Sequence, residues 1–271
     1  MFSFIISTAV LILILLITRQ FEKRNPIEPA QSTAEVVVDW KLAGFRWATS
    51  QLLKPVTSAG TILFVNAAGG GWIHLRSDGW WFLCSFIVLI LAIDLWTYLI
   101  HRAQHRFPVL WAMHSLHHSA TALTMVTGAR HFWFEETIIG FPILAIVFKV
   151  PVEMATPVTL FYFLVGEGLA HLNLRMSLGR FALCIQNPQY HRIHHSLEPQ
   201  HRDKNFCKLL PLFDVLFGTV WKPGEDEFPA TGLDTGEKPA GILDGLIWPV
   251  RHRPSWARLF GPTVATDIRD A

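Results

Sequence analysis

Charged residues are scarce in this chain of 271 residues, at 16% of the sequence, against about 25% in a typical soluble domain. Hydrophobic residues make up 51%, and the mean hydropathy is +0.33. This balance argues against an ordinary soluble domain and predicts a membrane protein. The net charge of +2 is small and no basic stripe is visible, so nucleic acid is excluded as a predicted partner.

Cysteine is also scarce, and several familiar motifs are missing. The three cysteines, Cys84, Cys184 and Cys207, are far apart and form no CxxC pair, which argues against a disulfide framework and favours buried thiols. The sequence has no H-E-x-x-H motif of the kind that marks zinc hydrolases. No haem-binding or flavin-binding segment is visible either, so any electrons that the protein uses must come from another molecule.

What the sequence has in place of charge is long apolar runs. The candidate membrane segments are Phe2–Ile17, Phe45–Ala68, Trp80–Ile100, Phe132–Val150 and Met154–Leu172. The first has basic residues directly after it, the reverse of a secretory signal, which predicts an anchor with its basic end in the cytoplasm. The second is interrupted by Lys54 and Pro55 and either crosses the membrane or lies in its interface. The prediction is therefore five spans, or four.

The positive-inside rule then orients the chain. With the basic residues after the first run in the cytoplasm, residues 101–131 and 173–271 lie inside, and Gly69–Gly79 and the tip at Pro151 lie outside. The inside segments carry more arginine than the outside loops. Every histidine cluster falls on the predicted cytoplasmic face.

Eight of the thirteen histidines lie in three tight clusters. These are His101/His105, His114/His117/His118 and His191/His194/His195. Helix positions i, i+3 and i+4 share one face, so each cluster directs its imidazoles to a common point. A catalytic zinc commonly takes about three protein ligands, so eight imidazoles predict two metal ions. Histidines at helix ends that contact lipid headgroups are the alternative, but so polar a constellation beside membrane helices is costly unless it is functional.

Imidazole binds zinc, copper, iron and nickel alike, so the ligands alone do not name the metal. A metal site above lipid-facing helices predicts a long apolar substrate, and iron with dioxygen is the chemistry that attacks its unactivated C–H bonds. One alternative is a membrane zinc-dependent lipid hydrolase. Another is a non-enzymatic membrane metal-binding or haem-binding protein, which predicts histidines in the middle of the spans rather than beyond their ends.

Four strings in order carry a family resemblance: "DLWTYLIHRAQH", "LWAMHSLHHS", "NPQYHRIHHS" and "DKNFCKLLPLFDVLFGT". From about Leu83 to Thr219 the chain resembles the fatty acid hydroxylase/sterol desaturase superfamily. The resemblance implies an all-α membrane protein with four to five transmembrane helices. A cytosolic helical region caps them and holds a histidine-rich di-metal site. It also implies two iron ions, O2 as cosubstrate, and hydroxylation or desaturation of a membrane lipid, either sterol-like or fatty acyl.

By the same resemblance, the eight clustered histidines fall on the family's metal-ligand positions, and His171 matches an additional family histidine. Glu167 lies four residues before His171, where related hydroxylases have another histidine. Glu167 is either a further iron ligand or an acid at membrane depth that hydrogen-bonds to a neighbouring helix. His131 lies beside the position of a family histidine that is Phe132 here, and either replaces it or is a surface residue.

Three further residues are predicted to support the ligands. Asp94 and Tyr98 precede His101 by seven and three residues and share its side of the helix. Asp94 is therefore expected to accept a hydrogen bond from a ligand imidazole, or else to pair as a buried acid with an arginine. Asp203, with Asn205, matches the family's D-x-N pattern and is expected to hold the loop after the last cluster.

The predicted organisation has three parts: a membrane anchor and second span over 1–79, a catalytic domain over 80–222, and an exposed tail over 223–271 that is rich in proline, glycine and acid. Reducing equivalents are expected from NAD(P)H through a ferredoxin, or through a small cytochrome with its reductase. The predicted location is a bacterial inner membrane. The sequence leaves the identity of the lipid and the oligomeric state open.

Overall fold

The computed structural model describes residues 17–29, 31–135 and 142–252, which are mainly helical. Residues 17–24 are helical, but the rest of the predicted anchor lies outside the described residues. Helix α1 (Thr33–Ala67) begins with a capping box, in which Ser32 and Glu35 satisfy each other's backbone N–H groups. It continues through Pro55, so the second apolar run is one uninterrupted helix.

Helix α2 (Trp81–Arg106) has 26 residues, and its most apolar stretch has a mean hydropathy of 2.3. Within the described ranges it is the one helix long and apolar enough to cross a membrane. The fourth predicted run lies partly outside those ranges. The fifth is irregular: helix α5 (Ala155–Phe161) continues as a π-helical segment (Tyr162–Leu169).

The two segments predicted to lie on the outer side are paired. Strand β1 (Ile73–His74) runs parallel to β2 (Phe148–Lys149), with Ile73 opposite Phe148. Helix α4 (Pro142–Val147) leads directly into β2. Backbone hydrogen bonds therefore connect the segment before α2 with the segment after α4.

The histidine clusters lie on α2 and on two short helices, α3 (Pro108–His118) and α6 (Pro188–His194). Each short helix has proline at its first position, where no backbone donor is needed. Asn187 caps α6 by accepting the Tyr190 N–H at 3.0 Å. The remaining elements are 3₁₀ turns at Thr127–Ala129, Val152–Met154, Gly179–Phe181 and Pro199–His201, with helices α7 (Leu212–Leu216), α8 (Ile242–Leu246) and α9 (Trp248–Arg251).

The segment after residue 222 differs from the exposed tail expected from its composition. Trp248 is buried, and its indole Nε1 donates to Ser115 Oγ of α3 at 3.0 Å. Gln189 of α6 donates to the Gly224 carbonyl at 2.7 Å. As far as residue 252, this segment packs on both short histidine helices because a buried indole and a row of carbonyls find partners there. The domain boundaries themselves stay a prediction.

Candidate metal centre

Nine histidines form two groups in the structure. The five-histidine group comprises His101, His105, His114, His118 and His194, and the four-histidine group comprises His117, His171, His191 and His195. Within each group the ligand atoms lie within 4.8 Å of one another. All nine rings are buried except that of His105, which is half-buried. These are the nine histidines that the sequence proposed as ligands.

Each H-x-x-H-H motif contributes to both groups. In α3, His114 and His118 belong to the five-histidine group and His117 to the other. In α6, His191 and His195 belong to the four-histidine group and His194 to the other. The i and i+4 rings of each motif stay together, whereas the i+3 ring, about 100° from its neighbour around the helix, faces the second group.

Within each group, Nε2 atoms face one another at hydrogen-bond distance. His101 and His114 approach at 3.1 Å. In the four-histidine group, His191 Nε2 lies 2.9 Å from His171 Nε2 and 3.1 Å from His195 Nε2. A neutral imidazole has one N–H and one lone pair, so these atoms cannot all satisfy one another. A bound cation would use the converging lone pairs together.

Three more ring nitrogens support this fit. His194 Nε2, His117 Nδ1 and His195 Nδ1 are buried and have no hydrogen-bond partner among the described residues. Burial holds the pKa of each of these three imidazoles well below its usual range. Neutral imidazole is the form that binds a metal, so the residues present fit metal ions.

In the five-histidine group, backbone carbonyls fix two rings. His101 Nδ1 lies 2.7 Å from the Phe206 carbonyl oxygen, and His194 Nδ1 lies 2.8 Å from that of Lys204. A carbonyl only accepts hydrogen bonds, so each Nδ1 carries the proton and each Nε2 keeps its lone pair toward the group. Ligand imidazoles in metalloproteins are oriented in this way.

Two acids hold two other rings of that group. Glu135 Oε1 accepts from His114 Nδ1 at 3.0 Å and also from Gln104 Nε2. Burial lowers the pKa of His114 to about 3, although Glu135 opposes that shift. Asp203 Oδ1 lies 3.5 Å from His105 Nδ1, the contact that its predicted supporting role requires.

The four-histidine group is held differently. His171 Nδ1 donates to the Glu167 carbonyl in the π-helical segment at 3.1 Å, and the Gln186 amide nitrogen lies 3.1 Å from His191 Nδ1. Gly128 lies so close that a Cβ atom there would be 2.8 Å from His171 Nδ1. Only glycine leaves this ring its place.

Glu135 and His131 belong to the centre, and sequence reasoning had assigned no role to Glu135. His131 Nδ1 lies 3.3 Å from Glu135 Oε1, and the His131 ring stacks on His117 with centroids 4.1 Å apart. His131 is therefore not the surface residue of the second sequence interpretation. The resemblance of "TGARHFWFEE" to a family segment was the one signal for both residues.

Asp94 and Tyr98 do not contact the rings as predicted. The Asp94 carboxylate accepts from the backbone N–H groups of residues 208–210 at 2.9–3.2 Å. Three amide donors occupy its two oxygens, so it fixes the loop whose Phe206 carbonyl orients His101. The Tyr98 hydroxyl lies 3.0 Å from Thr219 Oγ1.

Asp203 and Asn205 have φ values of 57° and 59°, which Asp and Asn tolerate better than most residues. The side chain of Asn205 holds the loop by donating to the Tyr190 carbonyl at 3.1 Å and accepting from the Trp221 N–H at 2.7 Å. This matches the loop-holding role expected for the D-x-N pattern.

The Glu167 carboxylate has a different partner from the one a ligand role needs. Its Oε1 lies 2.8 Å from Lys208 Nζ, and it belongs to neither histidine group. Burial alone would lower the pKa of Lys208, but the charge of Glu167, its hydrogen bond and the neighbouring Tyr162 together raise it. The structure thus favours the ion pair, and iron ligation by Glu167 stays a prediction.

A cavity of about 1000 Å³ opens beside the five-histidine group. His101, His114, His131 and Glu135 form its wall at the metal centre, and no ring of the four-histidine group is among the described residues that line it. The cavity extends between α1, α2 and the π-helical segment, where Leu53, Ile62, Ile100 and Phe163 contribute apolar surface. An apolar molecule in this cavity would reach the five-histidine group.

Known proteins resemble this chain over the same region. Its sequence matches the fatty acid hydroxylase family over residues 86–219. Alkylglycerol monooxygenase from Danio rerio is 28% identical over 145 residues, covering 52% of this chain and 30% of that protein. The ornithine lipid hydroxylase of Rhizobium tropici is 29% identical over 185 residues, covering 66% and 54%. A very-long-chain aldehyde decarbonylase from Oryza sativa is 29% identical over 186 residues, covering 61% and 29%.

The matches thus span about a third to about half of the length of these curated relatives. No solved structure matches the chain. The family match contains all nine histidines, Glu135 and the loop that orients the rings. Residues 86–219 of this chain form a domain of the fatty acid hydroxylase family.

Proposed function

We propose that this protein is an O2-dependent di-iron oxidoreductase that hydroxylates or desaturates a C–H bond of a membrane lipid. The observation that carries the proposal is the pair of buried histidine groups with inward-facing ring nitrogens, beside a cavity whose surface is mainly apolar. The lipid-oxidising relatives support it, since monooxygenase and hydroxylase are named among them.

When bound, two iron ions supply dioxygen activation and the removal of hydrogen from an unactivated C–H bond. The residues of the chain supply the rest. The five-histidine and four-histidine groups would hold one ion each, and the contacts to Phe206, Lys204, Glu135 and Glu167 orient the rings. The cavity walls position the lipid beside the five-histidine group and exclude water.

The chain is proposed to span a bacterial inner membrane four or five times, with residues 80–222 as the catalytic domain and the histidines on the cytoplasmic face. The ends of α2 support this orientation, since Trp80 and Trp81 lie at one end and Arg102 and Arg106 at the other. Electrons are proposed to come from NAD(P)H through a ferredoxin, or through a small cytochrome with its reductase.

Lipid analysis and metal analysis of the full chain test the proposal together. The chain and its His194→Ala variant are expressed in matched bacterial cells with and without oxygen, and the purified proteins are analysed for bound metal. We expect about two irons per chain. One lipid class should gain an oxygen atom or lose two hydrogens, only with oxygen and only with the unaltered chain.

Other outcomes would replace the proposal. Bound zinc with release of a fatty acid or head group in the absence of oxygen would indicate a hydrolase. Products shortened by one carbon would indicate decarbonylation. Metal binding without any change in lipids would favour the non-enzymatic alternative.

A further inference from the structure

Helix α1 turns a polar face to the cavity. Arg46, Ser50 and Lys54 follow one another at four-residue spacing and line it, and Thr57, Ser58 and Thr61 continue the same face. The hydroxyls of Ser50 and Thr57 donate to carbonyls within the helix; the Thr57 oxygen is left free to accept, whereas Ser50 Oγ accepts from Gln51 Nε2 at 3.3 Å. Polar groups therefore run along the α1 wall of a cavity whose surface as a whole is mainly apolar.

The remaining surface of α1 has the opposite character. Trp47, Leu52, Val56, Leu63 and Phe64 are each more than half exposed. Such residues are expected to contact lipid where a helix lies in a membrane, whereas the polar face lines the cavity. A polar face at membrane depth is costly unless it lines a cavity with a polar occupant.

Lys54 is the unusual member of this face. Its ammonium group has no side-chain partner among the described residues, whereas the other lysine on the cavity wall, Lys208, is paired with Glu167. The second acid on the wall, Glu135, is engaged by His114 and Gln104. Ionisable groups within a membrane protein's spans usually pair with one another or bind a ligand.

Lys54 also lies away from the metal centre. Arg46 marks the end nearer the metal centre, because its neighbour Phe45 packs edge-on against Trp133, two residues after His131, with ring centroids 6.2 Å apart. Lys54 follows Arg46 by eight residues, about 12 Å along an α-helix at about 1.5 Å per residue. The cavity therefore has a cation on its wall at a distance from the five-histidine group.

We propose that the cavity binds an amphiphile with an anionic head group, a carboxylate or a phosphate. Lys54 binds that group, and the apolar chain extends from Lys54 to the five-histidine group. This inference rests on the proposed function and names the class of its substrate. The volume of about 1000 Å³ lies at the upper end of the range of ligand pockets, about 300–1,000 Å³, as a lipid chain with its head group requires.

Direct lipid binding tests this without turnover. The metal-loaded full chain in nanodiscs is held without reductant, and a fluorescent fatty acid is displaced by palmitate, dipalmitoyl phosphatidic acid or dipalmitoylglycerol. The variants are Lys54→Met, Lys54→Arg and Lys41→Met, the last removing an exposed lysine of the same helix that does not line the cavity.

The unaltered chain should bind at least one of the two acidic lipids more tightly than dipalmitoylglycerol, and palmitate against phosphatidic acid separates a carboxylate from a phosphate. Lys54→Met should weaken acidic-lipid binding about tenfold, equivalent to about 1.4 kcal/mol, with dipalmitoylglycerol unchanged, and Lys54→Arg and Lys41→Met should match the unaltered chain. Equal binding of acidic and neutral lipids, or equal losses in Lys54→Met and Lys41→Met, would overturn the proposal. No step requires oxidation, so a failed hydroxylase assay leaves the result intact.

Discussion

The two histidine groups differ in what surrounds them. The five-histidine group faces the cavity, and the loop at residues 203–206 and Glu135 orient its rings. The four-histidine group is absent from the described cavity wall and is held by the π-helical segment, Gln186 and the close approach of Gly128. Two sets of similar ligands thus have unequal access to a substrate. We infer that the five-histidine group is the one beside which the lipid lies.

Removing one ligand from each group should give the largest effects. His118→Ala takes a ring from the five-histidine group and His195→Ala one from the other. Loss of a supporting contact alone costs about 10–100-fold in metal affinity, so loss of a ligand should lower activity more than about 100-fold. Metal analysis should show about one ion lost per chain in each variant. The control is His74→Ala, an exposed residue of β1. Full metal content in either variant would contradict the assignment of that group.

Substitution of Glu135 should affect the two histidine groups unequally, because Glu135 contacts a ring of the five-histidine group. Glu135→Ala removes the acceptor of the His114 N–H, and metal affinity in the five-histidine group should fall about 10–100-fold. Metal retention during dialysis against a chelator measures this, with the exposed acid variant Glu153→Ala as control. One ion should leave early while the second stays. Equal loss of both ions would show that the groups do not differ in this support.

Substitution of Gly128 should instead weaken metal binding in the four-histidine group, because Gly128 lies against the His171 ring. Gly128→Ala places a methyl group 2.8 Å from His171 Nδ1, and relieving such overpacking typically costs about 1–3 kcal/mol. The early-leaving ion should now be that of the four-histidine group, and the melting temperature in detergent should fall. Gly44→Ala, where no atom lies within 4 Å of the added methyl group, is the matched control. Identical behaviour of the two variants would mean that Gly128 does not constrain the ring.

The smallest effect is expected at Asp94. Asp94→Asn keeps one accepting oxygen but places an amide donor among three backbone N–H groups, which should cost about 1 kcal/mol of unfolding free energy. Because this loop carries the Phe206 carbonyl, metal retention in the five-histidine group should weaken slightly. Thermal unfolding in detergent measures the first effect, with Asp78→Asn as an exposed control. No change relative to Asp78→Asn would show that the loop is held without Asp94.

Helical spacing predicted that each cluster directs its imidazoles to a common point; the structure brings the nine histidines close together but divides each H-x-x-H-H motif between two groups. Helical spacing was not enough to divide them, because His117 and His118 are adjacent in sequence and serve different groups. The orienting contacts were also beyond prediction, since most are backbone carbonyls, which any residue supplies. Asp94 is an example. It lies on the side of the helix that was predicted, but its hydrogen-bond donors are backbone N–H groups of a loop more than a hundred residues away in sequence.

The fold was predictable where hydropathy alone decides. The Trp80–Ile100 run corresponds to α2, extended by one turn or more to Arg106. The Met154–Leu172 run gave no sign that its second half would be π-helical. The packing of Trp248 on α3 was hidden as well, since a single tryptophan after a segment rich in proline and glycine carries no periodic pattern.

The division of each H-x-x-H-H motif has a mechanical consequence. One metal ion bound by rings of both α3 and α6 would fix the distance between these helices but leave them free to rotate about it. Two ions bound between the same pair of helices would remove that rotation. Binding of the first ion also brings the second set of rings together, which raises their effective concentration for the second ion. Binding of the first ion is therefore expected to promote binding of the second, and the order of ion loss under chelation is expected to depend on which histidine group is weakened.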